Sequence, residues 1–224
     1  MDNWIDYWGQ ETQFVCEHHK HLSYQAIFED LKFYVTSSDR ILDFGCGEGL
    51  FASELSKLCS TLFLYDEAKP VLDKIRLTNP KSNIRIVDNY TDIKLLNIVL
   101  ISSVSQYIPE TKFLEILKNL RLSITQNGKI IIADIIPMQN SIYVEIVDLL
   151  KISKQNGFFT LALFRMLFSL FGNYSKVRRL VPLVKYNPKS FAKNLEQLGF
   201  VCKIEKNNLG LNSNRLTMVL TRKD

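Results

Sequence analysis

Cysteine is scarce and scattered in this 224-residue chain: Cys16, Cys46, Cys59 and Cys202. No two form a CxxC pair, and they lack nearby histidine pairs of the kind structural zinc sites use. That excludes the common structural zinc modules and a disulfide framework, and the thiols read as reduced, as in a cytoplasmic protein. Residues 1–10 carry acidic and aromatic side chains where a secretory leader needs a basic stretch and then an apolar one, so secretion is not expected. Lysine and arginine exceed the acids by only five, with no long basic run, which gives no electrostatic signature for nucleic acid. An acidic ligand or a membrane surface stays open. No internal repeat or low-complexity linker interrupts the chain, and no apolar run reaches the roughly 20 residues that span a bilayer.

What is present is a globular composition, 46% hydrophobic and 23% charged, long enough for a substantial core. From Asp39 to about Pro137, short β-branched runs alternate with helix-patterned stretches, the signature of a parallel sheet covered by helices. Strands are expected at Arg40 to Phe44, Thr61 to Tyr65, Ile84 to Val87, Ile98 to Ser102 and, after the turn signal Asn127-Gly128, Lys129 to Asp134. Helices are expected at Leu50 to Cys59, Ala68 to Thr78 and Glu110 to Ile124, the last started by Pro109. Trp4 to Tyr34 reads as one or two amphipathic helices capping the sheet. Asn187-Pro188 opens a helix ending near Gly199, followed by strand-like runs at Phe200 to Glu205 and Leu216 to Thr221.

The chemistry centres on Ile41-Leu42-Asp43-Phe44-Gly45-Cys46-Gly47-Glu48-Gly49, a strand entering a glycine-rich turn that lets the backbone approach a ligand closely. A dinucleotide fingerprint needs glycine or alanine where Leu50 stands, and the loop lacks the Lys-Ser/Thr ending of a P-loop. It resembles the first motif of class I S-adenosylmethionine-dependent methyltransferases, an acidic residue followed by GxGxG. The resemblance covers residues 39–137 and, less closely, the end from Asn187. It implies a doubly wound Rossmann-like α/β fold with a mostly parallel seven-stranded sheet in the order 3-2-1-4-5-7-6. The chain then divides into a helical cap (1–38), a cofactor-binding core (39–137), a helical lid insertion (138–186) and a C-terminal helix with a β-hairpin (187–224).

The resemblance also implies site residues. Asp43, Gly45, Cys46, Gly47 and Gly49 would wrap the amino-acid part of S-adenosylmethionine, and Asp66, with Glu67 as an alternate, would accept the ribose hydroxyls. Asp88 and Asn89 would approach the adenine, while Ser102 and Gln106 would pass under the cofactor toward the substrate. Many relatives carry histidine where this chain has Gln106 and Tyr107, which leaves the catalytic base open: Gln cannot take a proton and an ordinary Tyr titrates at about 10. Tyr107, Asp134 and His21, the last from the cluster His18, His19 and His21, are the catalytic candidates. A metal is not expected, because histidine pairs on exposed helices are usually just solvated.

Residues 138–186 contain the apolar run Phe158 to Gly172, followed by Lys176, Arg178 and Arg179. The pattern fits a lid over the cleft, with a peripheral membrane contact through 158–179 as the second reading. Either makes an apolar or lipid-linked acceptor more natural than a polar one, with oxygen the commonest methyl acceptor among the enzymes it resembles. Nitrogen or carbon methylation, a non-catalytic cofactor-binding or scaffold role, and a nucleotide-dependent oxidoreductase on the same scaffold are the alternatives. Nucleic-acid methylation is disfavoured, because Ser102-Ser103-Val104-Ser105 stands where DNA amino-methyltransferases resemble Asn/Asp-Pro-Pro-aromatic.

Overall fold

A computed structural model describes residues 5, 14–78, 81–169 and 181–223. In chain order the elements are α1 (Glu17–Leu31), β1 (Arg40–Phe44), α2 (Ala52–Leu55), β2 (Thr61–Tyr65), α3 (Lys69–Leu77), β3 (Ile84–Ile86), β4 (Leu96–Ser102), α4 (Glu110–Arg121), β5 (Ile124–Ile135), α5 (Ile142–Gln155), α6 (Phe159–Ser169), α7 (Pro188–Gln197), β6 (Phe200–Ile204) and β7 (Leu216–Arg222). The seven strands form one sheet in the order β3-β2-β1-β4-β5-β7-β6. β1 to β5 pair in parallel, and β7 runs antiparallel between β5 and β6. Both the doubly wound fold and the strand order agree with the sequence expectation.

Because side chains alternate across a strand, the central strands feed two cores. Leu42, Val99, Ile130 and Ile132 pack toward α4 and α7, where Phe113, Leu117, Phe191 and Leu195 are buried. Ile41, Ile98, Leu100, Ile131 and Ala133 pack toward α1, α2 and α3 with Leu31, Leu55 and Leu72. The near-continuous apolar runs in β1, β4 and β5 follow from burial on both faces.

Several boundaries differ from the expectation, each for a local reason. β5 begins at Ile124, so Asn127-Gly128 lies inside the strand. There the pairing jumps from Leu96↔Ile124 to Ile98↔Lys129, and residues 125–128 bulge. A Cβ on Gly128 would lie 2.8 Å from the Leu96 carbonyl oxygen, so this glycine permits close backbone approach. α4 accordingly stops at Arg121, three residues early. The helix expected at Leu50 to Cys59 contracts to the single turn α2, and α1 buries Lys20 along with Leu31, which a purely amphipathic reading does not foresee. Pro109 serves as the residue before α4, in an extended conformation. Asn187 caps α7, its Oδ1 accepting from the N–H groups of Lys189 (3.1 Å) and Ser190 (3.2 Å) with Pro188 in the first turn. The part of the lid run at 170–180, with Lys176, Arg178 and Arg179, lies outside the described residues. No helix among the described residues is long and apolar enough to cross a membrane.

Candidate active site

The carboxyl ends of β1, β2, β4 and β5 open into a cleft of about 1470 Å³, roofed by α1, α5 and α6. Ligands in doubly wound folds occupy this end of the sheet because the strand order reverses there. In its first half the glycine loop is pinned to β2, with Gly45 N–H and Cys46 N–H both donating to the Tyr65 carbonyl (2.7 and 3.0 Å). Gly45 and Gly47 have φ of +77° and +53°, a region that costs a side-chain-bearing residue about 1 kcal/mol or more. At Gly45 a Cβ would also lie 2.3 Å from Val104 Cγ2, whereas at Gly47 it would meet only the Tyr24 hydroxyl at 3.2 Å. Gly49 lies behind the cleft wall, its N–H donating to the Cys46 carbonyl (3.0 Å).

Two carboxylates flank this loop. Asp66 accepts from Gly47 N–H (Oδ2, 3.0 Å) and Ala68 N–H (Oδ1, 2.8 Å), so it clamps the loop to the turn before α3. Burial raises its pKa, opposed by the two N–H donors. Asp43 is 3% exposed, and burial, then the nearby Asp66, push it up to about 7. Cys46 is buried and its thiol is raised well above its ordinary value by burial, which makes it unreactive; its backbone lines the cleft. From the roof, Lys20 pairs with Glu48 of the loop, and half-buried Tyr24 packs on Phe51 at 5.8 Å.

The residues after β3 depart from expectation. Asp88 is exposed, bound to Arg76 Nη2 at 2.7 Å, and Asn89 is exposed, its Oδ1 accepting from Thr91 N–H at 3.1 Å to start a 3-10 turn. Neither lines the cleft. The wall is instead an aromatic cluster that sequence reasoning missed, Phe44, Tyr65 and Tyr90, with centroids 5.1 to 5.2 Å apart. Two aromatic residues at strand ends and a third in the 3-10 turn after β3 carry no spacing signal, so only the fold assembles them. Glu67 lines the cleft with its Oε2 held by the Tyr65 hydroxyl at 2.6 Å. Ser102 lines the floor.

The second half has apolar walls, Ile142, Ile146, Leu149 and Ile152 from α5 and Leu209 and Leu211 from the β6–β7 connection, over a polar floor. Asp134 and Ser103 both carry left-handed backbones (φ +65° and +58°), and Ser103 Oγ donates to Asp134 Oδ2 at 2.8 Å. Two such residues at a cleft floor store strain of order 1 kcal/mol each, held by their surroundings. Asp134 N–H donates to Asn208 Oδ1 (3.0 Å), which also accepts from Thr217 Oγ (2.9 Å), so β7 and the loop before it buttress the carboxylate. Burial raises the Asp134 pKa, countered mainly by Arg215 and then Ser103. Gln106 lines the cleft and is buried, its Oε1 accepting from Arg215 Nη1 at 3.1 Å. Tyr107 lines the cleft.

Among the histidines, His21 is exposed and lies off the cleft, contrary to its candidacy, because at this point of α1 the inward face carries Lys20, Ser23 and Tyr24. His19 does line the cleft, stacked on Phe158 with centroids 5.1 Å apart. Val15 N–H donates to its Nδ1 at 3.3 Å, which puts the neutral ring's proton on Nε2, and burial lowers its pKa. His19 therefore presents a donor, not a base. The carboxylates that line this second half are Asp134 and Glu145. Among the described residues no three His, Cys, Asp or Glu side chains gather as a metal would require.

A seven-stranded sheet in this order, with a glycine loop after β1 and a carboxylate after β2, is the class I S-adenosylmethionine-dependent methyltransferase fold. Solved structures agree. The DhpI–SAH complex matches with a TM-score of 0.61 at 14% identity over 98% of this chain and 95% of that one. Magnesium protoporphyrin IX methyltransferase from Synechocystis PCC 6803, with bound SAH, matches with 0.57 at 13% identity over 94% and 87%. The methyltransferase bound to the Trm112 activator of Haloferax volcanii matches with 0.63 at 10% identity over the full length of both. No protein-family model matches the chain, and no curated protein does.

Proposed function

We propose that this protein is an S-adenosylmethionine-dependent methyltransferase that methylates an oxygen of a small apolar or lipid-linked acceptor. The observation that carries the reading is the clamp at the end of β1 and β2, where Asp66 holds the open Gly45–Gly47 loop and Asp43 lies buried beneath it. The residues fit the cofactor: at Gly47 the space a Cβ would fill is free but for one hydroxyl, and two carboxylates suit a ligand with hydroxyls and a positive charge. Asp43, Gly45, Cys46, Gly47 and Gly49 shape the amino-acid subsite, Asp66 with Glu67 the ribose subsite, and Phe44, Tyr65 and Tyr90 the adenine wall. Ser102 and Gln106 form the floor between the two halves. The solved neighbours DhpI and LepI, crystallised with SAM or SAH, support the same assignment.

When bound, the cofactor supplies an electrophilic methyl group on a sulfonium, so the protein's work is positioning, water exclusion and care of the acceptor's proton. The apolar faces of α5 and the β6–β7 connection hold the acceptor and exclude water. Asp134 would take the acceptor's hydroxyl proton and Tyr107 would border the transfer path, while the bound group would give up its methyl by cleavage of the carbon–sulfur bond and leave as S-adenosylhomocysteine. A neutral alcohol gives a methyl ether, the proton resting on Asp134 until solvent removes it. The outward side of the lid, with Tyr143, Leu161 and Phe164 exposed, supports delivery of the acceptor from a lipid surface.

The test is release of S-adenosylhomocysteine from S-adenosylmethionine in a screen of apolar hydroxylated compounds, each paired with its O-methylated counterpart. Turnover with the free hydroxyl alone supports the reading. Cofactor binding without turnover on any acceptor favours the non-catalytic role.

A further inference from the structure

The acceptor half contains a buried cation that cofactor binding does not use. Arg215, immediately before β7, is 9% exposed, and a charge held that deeply persists only with partners around it. Its Nη1 donates to Gln106 Oε1 at 3.1 Å and toward the Asp134 carbonyl oxygen at 3.5 Å, and its Nη2 donates to Glu145 Oε1 of α5 at 3.2 Å. One planar guanidinium thus joins the turn after β4, the end of β5, the start of β7 and the lid. The Asn214 side chain, bound to Asp148, makes a second tie between the same segment and α5.

We propose that Arg215 is a positioning residue of the acceptor half, tying the lid helix through Glu145 to the cleft floor through Gln106 and Asp134 and setting its charge beside Asp134, whose carbonyl oxygen lies 3.5 Å from Nη1. The inference rests on Asp134 being the base. Nη1 is turned to Gln106 and the Asp134 carbonyl and Nη2 to Glu145, while Nε is buried without a hydrogen-bond partner. Its charge is turned toward the protein's own carboxylates. The charged groups facing Asp134 are Arg215 from the segment before β7 and Glu145 from α5, with Ser103 and Asn208 as polar neighbours. Burial and Glu145 favour the protonated form of Asp134, and Arg215 is the charge that opposes them. A fork that meets acceptors in three directions suits arginine, and a lysine would keep the charge but not the geometry.

The experiment is a pH titration of the ligand-free protein by carbon-13 NMR of labelled aspartate carboxyls, with the Asp134 signal assigned from Asp134→Asn. In Arg215→Met the Asp134 midpoint is expected to rise by about one pH unit or more. In Arg215→Lys it should stay nearer the parent, and in Glu145→Gln it should fall. An unchanged midpoint in a folded Arg215→Met overturns the proposal. Should that variant fail to fold, an unchanged midpoint in Glu145→Gln overturns it instead. S-adenosylmethionine binding measured on the same samples separates the two ideas, since a parent that binds no cofactor sinks the functional reading while the midpoints still judge Arg215.

Discussion

The two halves of the cleft are built on different principles. The cofactor half is contiguous: Asp43 to Gly49 is one strand and its loop, and Asp66 follows the next strand. The acceptor half gathers Ser103, Gln106, Asp134, Glu145 and Arg215 from four places spread over more than a hundred residues, with distances near 3 Å that only the finished fold sets. Backbone N–H groups hold the first; a charged side-chain network under apolar walls holds the second. The difference teaches that one half can be damaged without the other.

The largest expected effect follows directly. Asp134→Asn, which keeps the shape but cannot take a proton, should lower methyl transfer by about 10² to 10⁴-fold while leaving S-adenosylmethionine affinity within about twofold of the parent. Parallel turnover and binding measurements check it, and unchanged turnover would remove Asp134 from the mechanism. In the other half, Gly45→Ala should cost about 3 kcal/mol in urea denaturation through the clash with Val104 and the positive φ, and Gly47→Ala only about 1 kcal/mol. Equal losses would show that the loop is not clamped as described.

A smaller effect sharpens the electrostatic contrast. Asp43 titrates at about 7 in the folded protein against an ordinary 3.8, so its contribution to stability is complete below that ordinary value and is lost as pH rises to about 7. The difference in urea midpoint between parent and Asp43→Asn should therefore shift in favour of the variant across that window. A pH-independent difference would contradict it. The smallest effect concerns the lid: Tyr143→Ser with Phe164→Ser should weaken co-sedimentation with anionic vesicles several-fold and leave cofactor affinity unchanged. Parent protein that ignores vesicles would leave the lid facing water alone.

The same contrast explains what was legible beforehand. Strand order and the glycine loop were readable because β-branched runs and GxGxG are local patterns. The place of Asp66 beside the loop is readable because it directly follows β2. Asp88 was misplaced because strand-end position does not say which way a side chain turns, and Arg76, one helix away, takes it. His21 was favoured over His19 because helical facing depends on where α1 docks. Arg215 went unnoticed since a single arginine ahead of a strand is ordinary until burial shows what it costs to keep there. The 3-10 turns and the bulge at 125–128 were hidden for a related reason: Asn-Gly marks a break in direction without saying whether the strand ends.

The most direct test is calorimetric titration of the purified protein with S-adenosylmethionine and S-adenosylhomocysteine, beside Asp66→Ala. The account predicts micromolar binding, about −8 kcal/mol, lost by at least about 100-fold when the clamp carboxylate is removed. Absence of binding by either compound to the folded parent would contradict it.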